Sequence, residues 1–319
     1  LHALDQARVD LEGIGGLPEP MVFQDVWAGI WTEETHHSTA LEGNTLRQRQ
    51  VRMLLEEGVV SGQIVFREVL EARAYGNAAR WVYGQAYLGR FKSDEPMISQ
   101  AVIREIHKLV VGPVWPEFPP EGLVRGEVPG AYRMRDHDPL RAGLDPIPSS
   151  VVPSALAEWA AKVNATLADQ AGKHIIEELA LIHSTFERIH PFPDGNGRVG
   201  RLVLTHLLVR AGYPPAIIEK EERKKYLKAL KRADEEDCGP LTELLARSVR
   251  NGIYRFLIPK LAGTLSVVPL AGLDHGISHN ALVAAAQRGR LKAQKFEGTW
   301  YSTAQWVNEY KKSRYRRES

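Results

Sequence analysis

The strongest constraint in this sequence is a twelve-residue turn, His190-Pro191-Phe192-Pro193-Asp194-Gly195-Asn196-Gly197-Arg198-Val199-Gly200-Arg201, set between two apolar helical stripes. Before it, Ile175, Ile176, Leu179, Ile182, Phe186 and Ile189 recur at spacings of three and four, which predicts one helix over 174–190 with a single buried face. Pro191 stops that helix, because a residue before proline is driven out of the α region. After the turn, Val199, Leu202, Leu204, Leu207 and Leu208 predict a second apolar helix from near Arg198 to Ala211-Gly212, closed by Pro214-Pro215. The apolar pattern is helical almost throughout the chain, so the fold class is expected to be all-α.

The rest of the chain fits that expectation. A helix over about 32–42 ends at Gly43-Asn44, residues suited to a left-handed cap. Thr45-Leu46-Arg47-Gln48 reads as a capping box that opens a helix burying Val51, Leu54 and Leu55. Further helices are expected at 66–88, 98–110, 153–167, 223–233 and 240–258. Between 112 and 153 the chain is rich in Pro and Gly, leaving room only for short strands around Leu123–Arg125 and Ala131–Met134. Pro259 and the segment LAGTLSVVPLAG mark a boundary.

The turn carries the chemistry. Gly195 and Gly197 allow tight turning and close approach to a ligand. The free N–H groups of the next helix's first turn form an anion site, strengthened by the helix dipole. Arg198 and Arg201, three residues apart, share a helix face, and a guanidinium fork suits phosphate. Asp194 offers a hard oxygen to Mg²⁺, which is commonly held by one carboxylate plus phosphates. His190 can accept a proton near neutral pH.

HPFPDGNGRVGR resembles the Fic signature, HPFx(D/E)GNGRxxR, at every fixed position, and the likeness extends over roughly 20–258. It implies a Fic helical fold with a small β-hairpin flap, in which 61–258 is the catalytic domain behind an N-terminal region, 1–60. The implied function is that of a protein adenylyltransferase moving AMP from ATP to a Ser, Thr or Tyr hydroxyl of a target protein. By the resemblance, His190 is the base, Asp194 holds Mg²⁺ (Mn²⁺ as the alternative), and Gly195, Asn196 and Gly197 surround the α-phosphate. Arg198 meets the β-phosphate, Arg201 the γ-phosphate, and Phe192 anchors the loop in the core. Tyr226, in an R-x-x-Y run from Arg223, and Asp234 fall where family members line the nucleoside pocket.

Ser38-Thr39-Ala40-Leu41-Glu42-Gly43-Asn44 resembles the family's inhibitory motif, (S/T)xxxE(G/N). The resemblance implies that Glu42 pairs with Arg201 and keeps the γ-phosphate from its seat, since one guanidinium cannot serve a carboxylate and a phosphate together. Gly130-Ala131-Tyr132-Arg133 resembles the first half of the flap, while MRDHDPLRAGLDPIPSS lacks the alternation of relatives. Removal of AMP, transfer of another nucleotide, and nucleotide sensing by a DNA-binding regulator stay open as alternatives.

Residues 266–319 resemble a small winged helix-turn-helix module. Ser278 would cap a recognition helix with Leu282 and Ala286, and a wing with Lys292 and Lys295 would end at Trp300-Tyr301 before a helix at 303–312. Residues 286–319 hold nine Lys or Arg against three Glu in a chain of net charge +2, so DNA is a candidate partner there. His36-His37 lacks a matching ligand set for zinc, and His183, Trp27 and Trp31 read as core residues. The single cysteine, Cys238, excludes a disulfide framework within the chain. No run is apolar enough for a membrane span, and the opening LHALDQARVD lacks the pattern of a secretory signal, so a cytoplasmic location is expected. Assembly into a homo-oligomer stays open.

Overall fold

The computed structural model describes residues 1–319 except 14–15, 22, 93, 139–142, 169–172, 262–267, 273–275, 292, 297–298, 303 and 316–319. Its helices in chain order begin with α1 (His2–Glu12), α2 (Gln24–Leu41), α3 (Gln48–Glu56), α4 (Phe66–Gly89) and α5 (Gln100–Val111). After a long irregular stretch come α6 (Val152–Ala168), α7 (Ile175–Ile189), α8 (Asn196–Arg210), α9 (Arg223–Asp234) and α10 (Gly239–Gly252). A π turn, Ile253–Leu257, leads into the short α11 (Ile258–Leu261); α12 (His279–Gln287) and α13 (Ala304–Tyr315) follow. Three short strands, β1 (Val268–Pro269), β2 (Gln294–Phe296) and β3 (Thr299–Ser302), form an antiparallel sheet in the order β1-β3-β2.

The chain divides into two compact units. One holds Leu1 and Pro18–Val249; the other holds His2–Leu17 and Arg250–Ser319. These cut the chain differently from the expected divisions at 60 and 258. Pro259 does not end the helical run. The π turn before it shifts the backbone bond of Ile258 N–H to the Ile253 carbonyl, which accommodates a proline that has no N–H to give. In the smaller unit, α1 turns Leu4, Ala7 and Leu11 inward, and Tyr254 donates to Asp10 Oδ2 at 2.8 Å while meeting Trp306 edge-on. Lys292 and residues 297–298 of the expected wing lie outside the described residues.

In the larger unit α4 packs against α2, α5 and α8, and α7 packs against α6, α8 and α9. Helix α8 is therefore enclosed, and it is buried on almost every face, from Asn196 through Val209 apart from Gly197. Enclosure explains why its two arginines lie inside the protein. The inhibitory-motif helix is longer than expected: α2 starts at Gln24, because Trp27, Ile30 and Trp31 continue the buried stripe back from Thr32. Thr45 does not cap α3. Its N–H and hydroxyl both donate to the Glu68 carboxylate, at 3.0 and 2.8 Å, and the Arg47 N–H is capped instead by Gln50 Oε1 at 2.9 Å.

The flap strands expected around 123–125 and 131–134 do not form. Gly122, Gly126 and Gly130 all take left-handed angles (φ +66°, +103° and +86°), which breaks any extended run at four-residue intervals. The Glu127 carboxylate also takes the N–H groups of Val124 and Met134, at 2.9 and 2.7 Å, that a ladder would need. Residues 139–142 of the expected flap lie outside the described residues.

The end of α2 is set by one joint. Gly43 (φ +109°) turns the chain, and buried Asn44 then donates to the Glu68 carbonyl at 2.9 Å and accepts from Leu46 N–H at 3.1 Å. Asn44→Ala is expected to lower stability by about 1–3 kcal/mol, as for a buried group left without its partner. Urea unfolding checks this, and an unchanged midpoint would contradict the role of the joint.

Candidate active site

Helix α7 ends in a bend. His190 closes it in the left-handed region (φ +49°, ψ +61°), one of two described non-glycine residues with positive φ. Pro191 follows and the chain drops Phe192 into the core at 0% exposure, its ring stacked on His107 at 3.9 Å and 5°. Full burial of such a side chain is worth roughly 1.5–3 kcal/mol. Asn196 closes the loop on itself: Phe192 N–H donates to its Oδ1 at 2.8 Å, and its Nδ2 donates to the Phe192 carbonyl at 2.7 Å. Gly195 (φ +77°) makes the last turn before α8, against Val111.

His107 pegs the loop from α5. Gly130 N–H donates to its Nδ1 at 2.7 Å, which leaves the proton on Nε2 to reach the Asp194 carbonyl at 3.1 Å. Burial pulls this imidazole down to about 4, so it stays in that neutral form.

A cavity of about 400 Å³ opens beside the loop. The motif lines it with His190, Asp194, Gly195, Asn196, Gly197, Arg198 and Arg201; Glu42 enters from α2, and Tyr226 and Arg223 from α9. The His190 ring donates from Nδ1 to the Glu187 carbonyl at 3.2 Å, since a carbonyl can only accept, and Nε2 keeps its lone pair. Burial, then the neighbouring His137 ring 5.5 Å away, pulls His190 down to about 4. It is a neutral base at pH 7.

Arg201 is buried and already bonded. Its Nε donates to Ser38 Oγ at 2.7 Å, and its Nη2 donates to the Ser38 carbonyl at 2.9 Å and to Glu42 Oε1 at 2.7 Å. Burial pushes the Glu42 carboxyl up, but Arg201, with Arg198 and Arg223, overrides it and leaves Glu42 below its ordinary value. The Glu42 side chain keeps 44% of its surface open and sits where a Cβ on Gly197 would clash with Oε1. Gly197 thus admits the carboxylate to the loop. Gly43 supplies the turn behind it, and Arg223 Nε bonds the Leu41 carbonyl at 2.8 Å.

Arg198 reaches Asp194 Oδ2 at 3.4 Å, while its buried Nε has no hydrogen-bond partner. A buried guanidinium nitrogen facing no oxygen suits an anion such as phosphate. Asp194, with 43% of its side chain exposed, could offer an oxygen to a divalent ion. No group of three or more His, Cys, Asp or Glu among the described residues could hold a metal, so an ion here would draw most of its ligands from phosphates and water.

Asp234 does not reach the cavity lining; it pairs with Arg188 at 3.4 Å. His183 bonds Tyr226 through its Nε2 at 2.8 Å, which joins a core residue to the cavity wall. His37 is occupied by Lys220 N–H (3.1 Å) and Glu33 (3.2 Å). Sequence reasoning missed the functional relevance of His107, Arg133, His137 and Glu187. For Glu187 a signal existed: it lies three residues before His190, and Gly200 opposite it leaves the space its carboxylate fills.

Burial pushes the Glu187 carboxyl up to about 8, with no hydrogen bond to its Oε1, so folding holds a proton that the unfolded chain releases near the ordinary 4.5. That contribution to stability is complete below the unfolded value and is lost as pH rises through the folded one. Glu187→Gln should therefore gain in melting temperature over the parent as pH climbs from about 5 to about 8. Parallel curves would contradict it.

Residues 97–208 match the model of the Fic/DOC family. The protein adenylyltransferase Fic of Aedes aegypti is 32% identical over 248 residues, 76% of this chain and 44% of that protein. Its Culex quinquefasciatus counterpart is 33% identical with the same coverage. The chain spans less than half the length of these curated relatives. Fic-1 (residues 134–508) from C. elegans is 26% identical, with a TM-score of 0.64 over 82% of this chain and 73% of that one. A Fic domain containing signaling protein from Bacteroides thetaiotaomicron, at 24% identity, shares the fold with a TM-score of 0.66 over 82% of this chain and 97% of that one. Through residues 97–208 the chain belongs to the Fic/DOC family, and it is related to protein adenylyltransferases at 32–33% identity.

Proposed function

We propose that this chain transfers AMP from ATP to a hydroxyl group of another protein and that its own Glu42 restrains the reaction. The observation that carries this reading is the Arg201 fork, gripped by Ser38 and Glu42 in the cavity that His190 and the glycine-bearing turn also line. The names of the curated relatives point the same way.

Each residue has a task that its chemistry fits. The first-turn N–H groups of α8 and the Arg198 fork receive the α- and β-phosphates. Asp194 would hold Mg²⁺, or Mn²⁺ in its place, which when bound neutralises phosphate charge. His190 Nε2 accepts the proton of the incoming hydroxyl as its oxygen bonds to the α-phosphorus and pyrophosphate departs. Tyr226 forms part of the wall beside the nucleotide. With Glu42 in place Arg201 cannot turn its fork to the terminal phosphate.

A second reading, removal of AMP by water, is favoured by the Glu42 carboxylate being half open to the same cavity as His190. A third reading, a nucleotide-sensing regulator, would contact DNA phosphates through Arg288 and Arg290, which follow α12.

Labelled ATP separates these. Glu42→Gly should raise labelling of protein by on the order of 10–100-fold, the size of a typical coupling between sites. Adding His190→Ala should abolish it, and equal labelling by parent and Glu42→Gly would refute the restraint. Release of AMP from labelled protein by the parent would favour the second reading; binding of nucleotide with no label would favour the sensor.

The neutral His190 also predicts a pH profile. At saturating ATP the Glu42→Gly rate should stay flat down to about pH 5.5, where an imidazole of ordinary pKa would have lost about 90% of its base form. An acid limb near the ordinary 6.5 would contradict the buried, neutral base.

A further inference from the structure

The bend at His190 needs an explanation. A left-handed histidine directly before proline is not a conformation that the chain adopts unaided. The α7 helix also ends there with carbonyls that have no helical donor. Both needs are met by one side chain, that of Arg133, whose surface is 0% exposed.

Its Nε donates to the His190 carbonyl at 2.7 Å, and Nη2 donates to the Ile189 carbonyl at 3.3 Å and to the Ile147 carbonyl. Its Nη1 donates to the Arg135 carbonyl at 3.0 Å and lies 3.8 Å from the Asp136 carboxylate. The Arg133 N–H donates to the Pro191 carbonyl at 2.9 Å. Every nitrogen of the fork thus faces an oxygen, and three consecutive carbonyls, 189, 190 and 191, are tied to this one residue. A cation at the C-terminal end of a helix is also favoured by the dipole. A planar fork with five fixed donors can span these carbonyls; a lysine ammonium, a compact point charge, cannot.

We propose that Arg133 is a positioning residue for His190: its buried fork locks the left-handed bend and so fixes where the imidazole stands over the cavity. The inference rests on the function proposed above, with His190 as the base. Arg133 itself is absent from the cavity lining, so it acts through the backbone of His190. His137, from the same segment, meets the His190 ring edge-on, with centroids 5.5 Å apart and planes inclined at 64°.

The test uses the full chain carrying Glu42→Gly, with Arg133→Lys and Arg133→Gln added separately. ATP affinity, set by the turn and α8, should hold within about twofold, while the rate at saturating ATP should fall by on the order of 10–100-fold, the penalty of a misplaced catalytic group. A rate that holds at saturating ATP, or ATP affinity that falls in step with the rate, would overturn the proposal. Loss of the folded state in both variants would assign Arg133 to stability alone and overturn it too. The histidine ring spectrum of the same proteins by nuclear magnetic resonance needs no activity. The ring signal of His190, identified by its loss in His190→Gln, should shift or broaden in Arg133→Lys, and an unchanged signal would count against the proposal. If the Glu42→Gly parent transfers no AMP, the functional reading falls, and this spectrum still decides whether Arg133 holds the ring.

Discussion

A guanidinium buried at the middle of a helical body governs this molecule. Arg201 lies on α8, which α4, α5 and α7 enclose, so its charge must be met inside the protein. A charge buried this deeply is costly without partners, and Ser38 and Glu42, the latter with 44% of its side chain open, supply them. Both partners come from the last turn of α2. The helix that carries the restraint is therefore part of the packing of the larger unit. The same contact that completes the fold also occupies the group that the proposed reaction needs.

Around that ion pair burial raises the other carboxyls. Glu34, bonded by Thr205 and Tyr75, is pushed up to about 7, and Glu187 to about 8, so Glu42 alone among these three is held below its ordinary value. The carboxylate that Arg201 holds most firmly in its charged form is thus on a side chain that remains open to the cavity. That arrangement suits an exchange of one anion for another better than a sealed salt bridge would.

The motif loop and the two helices beside it were legible in the sequence, because a twelve-residue signature and a 3.6-residue apolar period are local signals, while the Glu42–Arg201 pair, 159 residues apart, was expected through the family resemblance alone. What the sequence hid is non-local. Strands at 123–125 and 131–134 fit the local pattern, yet three left-handed glycines and the Glu127 carboxylate divert their backbone groups. Thr45 looked like a cap until Glu68, on another helix, claimed its hydroxyl. Asp234, which the resemblance places at the nucleoside pocket, pairs with Arg188. The pegs of the loop, His107 and Arg133, act through carbonyls 87 and 57 residues away, with no spacing rule to reveal them.

Calorimetric titration of ATP and of AMP into the parent and into Glu42→Gln tests most directly whether Arg201 is shared between carboxylate and terminal phosphate. If it is, the substitution tightens ATP by about tenfold, the worth of one charge-assisted contact, and leaves AMP unchanged within about twofold. An equal change for both nucleotides, or none for ATP, would contradict that sharing.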